Sequence, residues 1–304
     1  IFTRKTLTDA PQGPKEKLRD IGVTPEVWVT QFYQGLVGGD EAGVSRYGGK
    51  VDGFLSLQPE RLGLLPGLRV DAQYEHYFGE NINVEDDALV PVNTAQAYLR
   101  PHSYHSTLSL LVTQKFNENI SVSTGKFNMM TLAARTPLIG GGGLTTFMNR
   151  AFALPSTGVA YTSSRGGAGD RVVLSPPYLL GSVTTIKSDA LKLDLLVADP
   201  RSAINPRVIE HPFEKGVQVA AAVTLETKIA GLLGYHTVRG AYSNARGVDL
   251  DDVTSFRANN LALTSPLTKK GYWFTSYAMQ QYLFQKSDDP KIGWGLFTLA
   301  TLSD

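Results

Sequence analysis

The 304-residue chain contains no cysteine, so it can form neither a disulfide bond nor a thiolate metal site. It also lacks any run of the ~18 consecutive apolar residues that a membrane-spanning helix needs. Its net charge is +1, and the sequence contains no block of basic residues. This composition is not typical of a nucleic-acid-binding protein. If the chain crosses a membrane, it must do so as a closed β-barrel, because a barrel pairs all its backbone hydrogen-bonding groups between strands.

What the chain does contain is alternation with a period of two residues. In the segment LRVDAQYEHYF the apolar residues Leu68, Val70, Ala72 and Tyr74 alternate with polar ones, beginning at Arg69. A strand with one apolar and one charged face suits a half-buried sheet of a soluble protein. It equally suits an outer-membrane barrel, whose apolar face meets lipid and whose polar face lines a wet lumen. This segment alone leaves both open.

Helical periodicity is scarce, and similar segments recur along the chain, ended by Gly, Asn, Asp or Pro. The twelve predicted strands are 26–37, 51–57, 68–78, 93–100, 106–116, 120–128, 178–187, 190–198, 216–226, 229–239, 272–286 and 291–302. One helical turn is predicted at PERLG, opened by Pro59 and closed by Gly63. Short and long connections alternate between the strands, as they do in barrels with short turns at one end and long loops at the other.

A segment of about fifty residues, 129–177, shows no convincing strand and is far longer than an ordinary loop, although 145–150 could form a short helix. It contains GGGG at 140–143, which lacks the following lysine of a phosphate-binding loop. We therefore predict one β-barrel domain over 1–304 with a long inserted loop at about 129–177.

Several pieces, in this order, resemble the carbohydrate-selective porin family, the OprB-like outer-membrane channels. They are GVTPEVWVTQFYQGLVGG, ERLGLLPG, STGKFN, GYWFTSYAMQQYLFQ and IGWGLFTLATLSD, and the resemblance covers essentially the whole chain. It implies an all-β fold, an antiparallel transmembrane β-barrel of the bacterial outer membrane that passes mono- and small oligosaccharides by passive diffusion. It implies no catalytic residue and no cofactor.

The sequence departs from the family in one respect. The resemblance implies about sixteen strands, within the range of such barrels, whereas twelve are predicted, and the chain ends at Asp304 rather than at an aromatic residue. We expect a C-terminally truncated record of a longer chain, because an unclosed barrel leaves bare backbone groups in lipid. A smaller relative with a narrower pore is the alternative.

A sugar channel needs a constriction of hydrogen-bonding groups and aromatic faces that exchange for the hydration of the sugar. Alternation predicts these lumen-lining residues: Arg69, Asp71, Gln73, Glu75, Gln96, Tyr98, Arg100, Lys115 and Lys126. The inserted loop is predicted to fold into the pore and to contribute Arg135, Phe147 and Arg150. In the alternative, that loop lies outside the pore with its arginines toward anionic lipopolysaccharide.

No metal site is predicted, since the spacing of His102 and His105 suits a metal only on a helix, and SRGGAGD at 164–170 lacks the repeated acids of a calcium loop. The expected partners are sugars, outer-membrane lipid and lipopolysaccharide, and no nucleic acid, with self-association left open. The alternative function is a soluble or envelope β-rich carbohydrate-binding protein or glycoside-acting enzyme. Its only visible acid pairs, at 86–87 and 251–252, lack any supporting motif.

Overall fold

The chain forms one large antiparallel sheet and a separate hairpin. A computed structural model describes residues 13–39, 42–84, 92–96, 109–128, 147–149, 160–165, 169–174, 178–200, 211–248, 268–289 and 292–303. The strands are β1 (Val23–Gly35), β2 (Ser45–Leu57), β3 (Leu68–Gly79), β4 (Ser109–Lys115), β5 (Ile120–Asn128), β6 (Ala160–Arg165), β7 (Gly169–Leu174), β8 (Tyr178–Lys187), β9 (Leu191–Ala198), β10 (Gln218–Ile229), β11 (Leu232–Val248), β12 (Thr268–Gln285) and β13 (Gly293–Ser303).

The large sheet is an antiparallel meander of eleven strands. Its order is β1-β2-β3-β4-β5-β8-β9-β10-β11-β12-β13, so every strand lies beside its neighbour in sequence except where the chain leaves β5 and returns as β8. The strands β6 and β7 form a two-stranded hairpin of their own within that excursion. Among the described strands, β1 and β13 are the two ends of the sheet.

Eleven of the twelve predicted strands are confirmed, with shifted ends. The prediction that 129–177 contains no strand is wrong, because β6 and β7 lie within it. The turn between β10 and β11 lies at Ala230 and Gly231 rather than at the predicted position three residues earlier. Both residues have positive φ, as a two-residue hairpin turn requires, and the glycine makes this conformation accessible.

The prediction of a strand at 93–100 is wrong for the residues that the structure describes, 93–96, and 97–100 lie outside the described residues. Its described part is a 3-10 helix, Thr94–Gln96, that follows another one at Ile82–Val84. The Asn83 side chain holds the Asn93 backbone at both ends: its Oδ1 accepts from the Asn93 amide at 2.8 Å, and its Nδ2 donates to the Asn93 carbonyl at 2.8 Å. Asn93 Oδ1 in turn accepts from the Ala95 amide at 3.1 Å. These side chains supply the backbone partners that a neighbouring strand would have supplied.

Two short helical elements flank the first strands. The helix α1 (Pro14–Asp20), which the sequence pattern did not predict, has proline in its first turn, where the missing amide hydrogen is of no consequence. The 3-10 helix Pro59–Leu62 ends at Gly63, whose left-handed conformation closes it, as predicted. No helix in the described residues is long and apolar enough to cross a membrane.

Connections of different length leave the two ends of the sheet. At one end lie 58–67, 116–119, 188–190, 230–231 and 286–292; at the other lie 36–44, 80–108, 129–177, 199–217 and 249–267. We call these the turn end and the loop end. The four longest connections, 80–108, 129–177, 199–217 and 249–267, thus join strands at the loop end, as predicted, although 58–67 at the turn end is one residue longer than 36–44 at the loop end.

The burial of the two faces is the reverse of that in a soluble sheet. One face, here called the outward face, exposes apolar side chains such as Val27, Leu195 and Val223, and Val27 is 73% exposed. The opposite, inward face buries polar side chains such as Lys50, Thr185 and Ser276. A smaller apolar cluster of Leu111, Phe127, Leu179, Val183 and Ala198 also lies on the inward face.

Candidate functional site

A buried network of charged groups lies on the inward face where β2 and β3 pair. The register places Asp52 directly opposite Glu75, and Lys50 lies two residues from Asp52 on the same face. The Lys50 ammonium is 3.1 Å from Asp52 Oδ2 and 3.1 Å from Glu75 Oε1, so it bridges the two carboxylates. Lys50 is 4% exposed and Glu75 is 1% exposed. The single cation holds two like charges together in a desolvated place.

Neutral side chains extend this network. Gln73 donates from Nε2 to Asp52 Oδ1 at 3.1 Å, and the Tyr77 hydroxyl donates to Glu75 Oε1 at 3.2 Å. Asn128, from β5, donates from Nδ2 to Glu75 Oε2 at 3.4 Å. Gln73 and Glu75 therefore lie on the predicted, inward face. Their polar groups are engaged in contacts between β2 and β3.

Arg69 and Asp71 form a second, more open pair on the same strand. Arg69 Nε and Nη2 each lie 2.8 Å from Asp71 Oδ1. The Arg69 side chain is 52% exposed, so the guanidinium still has surface for another partner. Arg69, Asp71 and Glu75 lie in one row on the inward face, but the structure separates the more exposed Arg69–Asp71 pair from the buried Glu75.

A cavity of about 700 Å³ opens beside the Arg69–Asp71 pair. Residues from five neighbouring strands and from β8 and β9 border it, which means that the sheet curves around it. Its lining includes Glu26, Phe54, Arg69, Asp71, Gln73, Leu111, Thr113, Phe127, Thr185, Lys187 and Lys192. The cavity thus combines charged groups, hydroxyl groups and two aromatic rings.

A second cavity of about 420 Å³ lies at the turn end. It is bordered by Glu60, Lys115, Glu118 and the backbone turn around Asn117. Arg69, Thr113, Ser121 and Lys187 border both cavities, so the two are adjacent. The predicted residue Lys115 lies at this second cavity.

Lys126 was predicted to line the lumen, and the register contradicts that prediction. Ser121, Ser123 and Phe127 point inward, whereas Lys126 lies opposite Leu110 and Leu180, which belong to the outward face. Its ammonium is 5.4 Å from the centre of the Tyr178 ring, within the range of a cation–π contact.

Of the residues predicted to line the pore from the inserted loop, Phe147 lies in the described part of the chain, in the segment 147–149. The Phe147 ring lies 4.9 Å from the Phe297 ring of β13. The Met148 carbonyl accepts from the Thr94 amide at 2.9 Å and from its hydroxyl at 2.8 Å. Gln34 of β1 reaches Met148 Sδ from Nε2 at 3.3 Å. This short segment therefore contacts both end strands of the described sheet.

Among the other residues predicted to line the lumen, one is buried and four lie outside the described part of the chain. Gln96 is buried in the 3-10 helix, where its Oε1 accepts from Asn93 Nδ2 at 3.2 Å. Tyr98, Arg100, Arg135 and Arg150 lie outside the described residues. The predicted short helix at 145–150 is described only at 147–149, which are not helical.

Sequence reasoning missed inward-facing residues that alternation could have found. On β9, Asp194 accepts from the Thr185 hydroxyl at 2.6 Å and pairs with Lys192 at 2.8 Å. Lys50 was missed because β2 was predicted to begin at Val51, whereas it begins at Ser45. Asp52 lay within the predicted strand but was not assigned to the lumen-lining residues. In the part of the chain that the structure describes, no group of three or more His, Asp or Glu side chains could hold a metal ion.

Comparison with known proteins gives structural neighbours only. No protein-family model and no curated protein matches the sequence. OprB of Pseudomonas putida, in a structure determined at high pH, is similar with a TM-score of 0.68 and 16% sequence identity, over 96% of this chain and 69% of that one. OccK8 (OprE) of Pseudomonas aeruginosa gives a TM-score of 0.32 and 10% identity over 86% of this chain and 66% of that one, which is too low a similarity to support an inference.

The similarity to OprB confirms the fold class that the sequence predicted, an all-β fold with the antiparallel strand arrangement of the OprB barrel. At 16% identity the likeness concerns the fold alone.

Proposed function

We propose that the chain is an outer-membrane diffusion channel that admits mono- and small oligosaccharides. The observation that carries this proposal is the reversed distribution of polarity across the sheet. Apolar side chains are exposed on the outward face, while charged and hydroxyl side chains surround a cavity on the inward face. A sheet with these faces is stable where the outside is hydrocarbon and the inside is water.

Aromatic pairs at the strand ends support a membrane location. On the outward face Tyr33 lies opposite Tyr47, and Tyr242 lies opposite Trp273, both toward the loop end. Phe284 lies opposite Trp294 at the turn end, and both are more than half exposed. Barrels of the outer membrane carry aromatic girdles at both interfaces with water. This distribution agrees with strands that cross the bilayer between the two ends.

The inward cavity has the chemistry that sugars require. Its volume of about 700 Å³ falls within the range of about 300–1,000 Å³ that is usual for ligand sites. The Arg69 guanidinium and the Asp71 carboxylate offer planar donors and acceptors to neighbouring hydroxyl groups, and Phe54 offers an apolar surface to the face of a pyranose ring. Because these groups line an open cavity, a sugar can bind and leave again.

We further propose that the inserted loop narrows the lumen at Phe147–Asn149. The support is the contact of this segment with both β1 and β13, at Gln34 and Phe297. Sugars, outer-membrane lipid and lipopolysaccharide are the partners that this function implies. Catalysis has no part in it.

The function is tested by liposome swelling with the purified chain, folded into vesicles. Glucose and maltose should enter, whereas glutamine, a non-sugar solute of similar mass, should enter more slowly. Arg69→Gln should change the ratio of maltose to glucose entry. The matched control Arg46→Gln removes an inward arginine that pairs with Glu80 at 3.3 Å away from the cavity lining, and it should leave the ratio unchanged.

Equal rates of entry for glutamine and glucose would show that the channel is not selective for sugars and would reduce the proposal to a general diffusion channel. No entry of any solute, together with purification of the chain from the aqueous fraction without detergent, would overturn the channel itself.

A further inference from the structure

A guanidinium without a partner lies on the inward face of β11. Arg239 lies between Ala222 of β10 and Ser276 of β12 in the register. Its Nε and Nη2 atoms are buried and have no hydrogen-bond partner in the described structure. The residue as a whole is only partly buried, so part of its side chain reaches the surface of the inward face.

The surrounding wall offers no counter-ion from the sheet. The residues that share the inward face with Arg239, in line or diagonally, are Ala220, Ala222, Thr224, Thr237, Ala241, Phe274, Ser276 and Ala278. None of them is acidic. The next acid along this row, Asp194 opposite Ala222, already pairs with Lys192 and Thr185. A partly desolvated cation without an anion is unfavourable, so the position is suited to an anion that arrives from outside.

Ser276 supplies a second, independent group. It lies directly opposite Arg239, it is 3% exposed, and its Oγ has no hydrogen-bond partner in the part of the chain that the structure describes. Side chains at directly opposite positions have Cβ atoms ~4.5–5.5 Å apart, so both groups can reach one bound oxyanion. The flanking Ala222 and Ala278 are small, and Ala278 is 5% exposed.

We infer that Arg239 and Ser276 form a binding site for the carboxylate or phosphate group of a permeating solute. This inference rests on the proposed function: acidic sugars, such as sugar acids and sugar phosphates, would bind here in addition to the neutral sugars. The guanidinium donates two hydrogen bonds to the oxyanion from Nε and Nη2, and the serine hydroxyl donates a third.

The test measures binding directly, so it does not depend on permeation. The full chain, folded in detergent, is titrated calorimetrically with gluconate, with glucose 6-phosphate and with glucose. Arg239→Gln should raise the Kd for both anions by about tenfold or more, the lower limit for hydrogen bonds to a charged group. Ser276→Ala should raise it by a few-fold, Arg239→Lys by less than Arg239→Gln, and the control Arg46→Gln should not change it.

Comparison of gluconate with glucose 6-phosphate shows whether the site prefers a carboxylate or a phosphate group. An unchanged Kd in Arg239→Gln, or no binding by the unaltered chain at millimolar concentration, would overturn the site. Should Arg239→Gln not fold, as judged by a heat-modifiable band, Ser276→Ala decides in its place. Anion binding that depends on Arg239 in a chain that passes no glucose would leave the site intact and remove the proposed function.

Discussion

Lys50 of β2 and Glu75 of β3 form a buried ion pair on the inward face, with 3.1 Å between the ammonium nitrogen and the carboxylate. Asp52 shares the same ammonium, so one positive charge compensates two negative ones. Both strands are held in register by this network as well as by their backbone hydrogen bonds. Within this network Lys50 is the one cation, so the pairing of β2 with β3 at this place depends on its charge.

Replacement of Lys50 by methionine should therefore destabilise the fold strongly. The change keeps a long side chain but leaves two buried carboxylates without their cation, and breaking a buried ion pair costs about 3–5 kcal/mol. Urea unfolding in vesicles measures the loss. Glu75→Gln, which leaves one lysine and one aspartate, is the matched variant and should cost less. Equal stability of Lys50→Met and the unaltered chain would contradict the role assigned to the network.

Phe147 and Phe297 provide a test of the inserted loop. Phe147→Ala removes a ring contact of about 0.5–1.5 kcal/mol, so the segment should hold less firmly to β13 and single-channel conductance should rise. Phe297→Ala should have the same effect, and the double variant should add little to either. Phe116→Ala, in an exposed turn between β4 and β5, is the control and should leave the conductance unchanged. Fully additive effects would show that the two rings act separately.

Asn83 holds the backbone at Asn93, next to the 3-10 helix Thr94–Gln96 that lies where a strand was predicted. Asn83→Ala removes both hydrogen bonds to the Asn93 backbone and leaves two buried backbone groups without partners, at a cost of about 1–3 kcal/mol each. Because Asn93 also donates to Gln34 at 2.6 Å, we expect the contacts around Met148 to loosen too. Urea unfolding measures the loss, and Asn117→Ala, at an exposed turn, is the control. A loss no larger than that of Asn117→Ala would argue against this clamp.

Alternation predicted most of the sheet because a period of two residues is a local property of the sequence. In β3 it also placed Arg69, Asp71, Gln73 and Glu75 on the correct face. The same pattern misled at 93–100, where Thr, Gln and Tyr alternate with apolar residues but a side chain distant in sequence, Asn83, holds the backbone in a turn.

The cation of the charged network, Lys50, was missed because it lies one residue before the predicted start of β2, whereas the observed strand begins at Ser45. Glycine in a strand interior weakens the strand, and Gly48 and Gly49 immediately precede Lys50 in β2. In the structure Gly49 lies within β2 at a position that requires glycine, since a Cβ there would overlap the Thr30 carbonyl oxygen and come 2.6 Å from the Phe78 ring. Lys126 was predicted to line the lumen by alternation, but alternation counted from the inward-facing Ser121 and Ser123 places it on the outward face.

Two consecutive alanines of β10 test which face meets lipid. Ala221 lies on the outward face with Val219 and Val223, and Ala220 lies on the inward face. Ala221→Lys places a charge in hydrocarbon, which costs ~2–4 kcal/mol near the midplane of the bilayer, whereas Ala220→Lys places it in a wet lumen at little cost. The yield of heat-modifiable protein after refolding into vesicles measures the difference.

We expect Ala221→Lys to refold poorly and Ala220→Lys to refold well, since the two variants share composition, strand and depth and differ only in direction. The reverse order would mean that the apolar side chains of this sheet face water and the polar ones face a packed core. In that case the cavity beside Arg69 would be an internal space of a soluble protein, and each residue proposed to contact a sugar would have to be reassigned to that core.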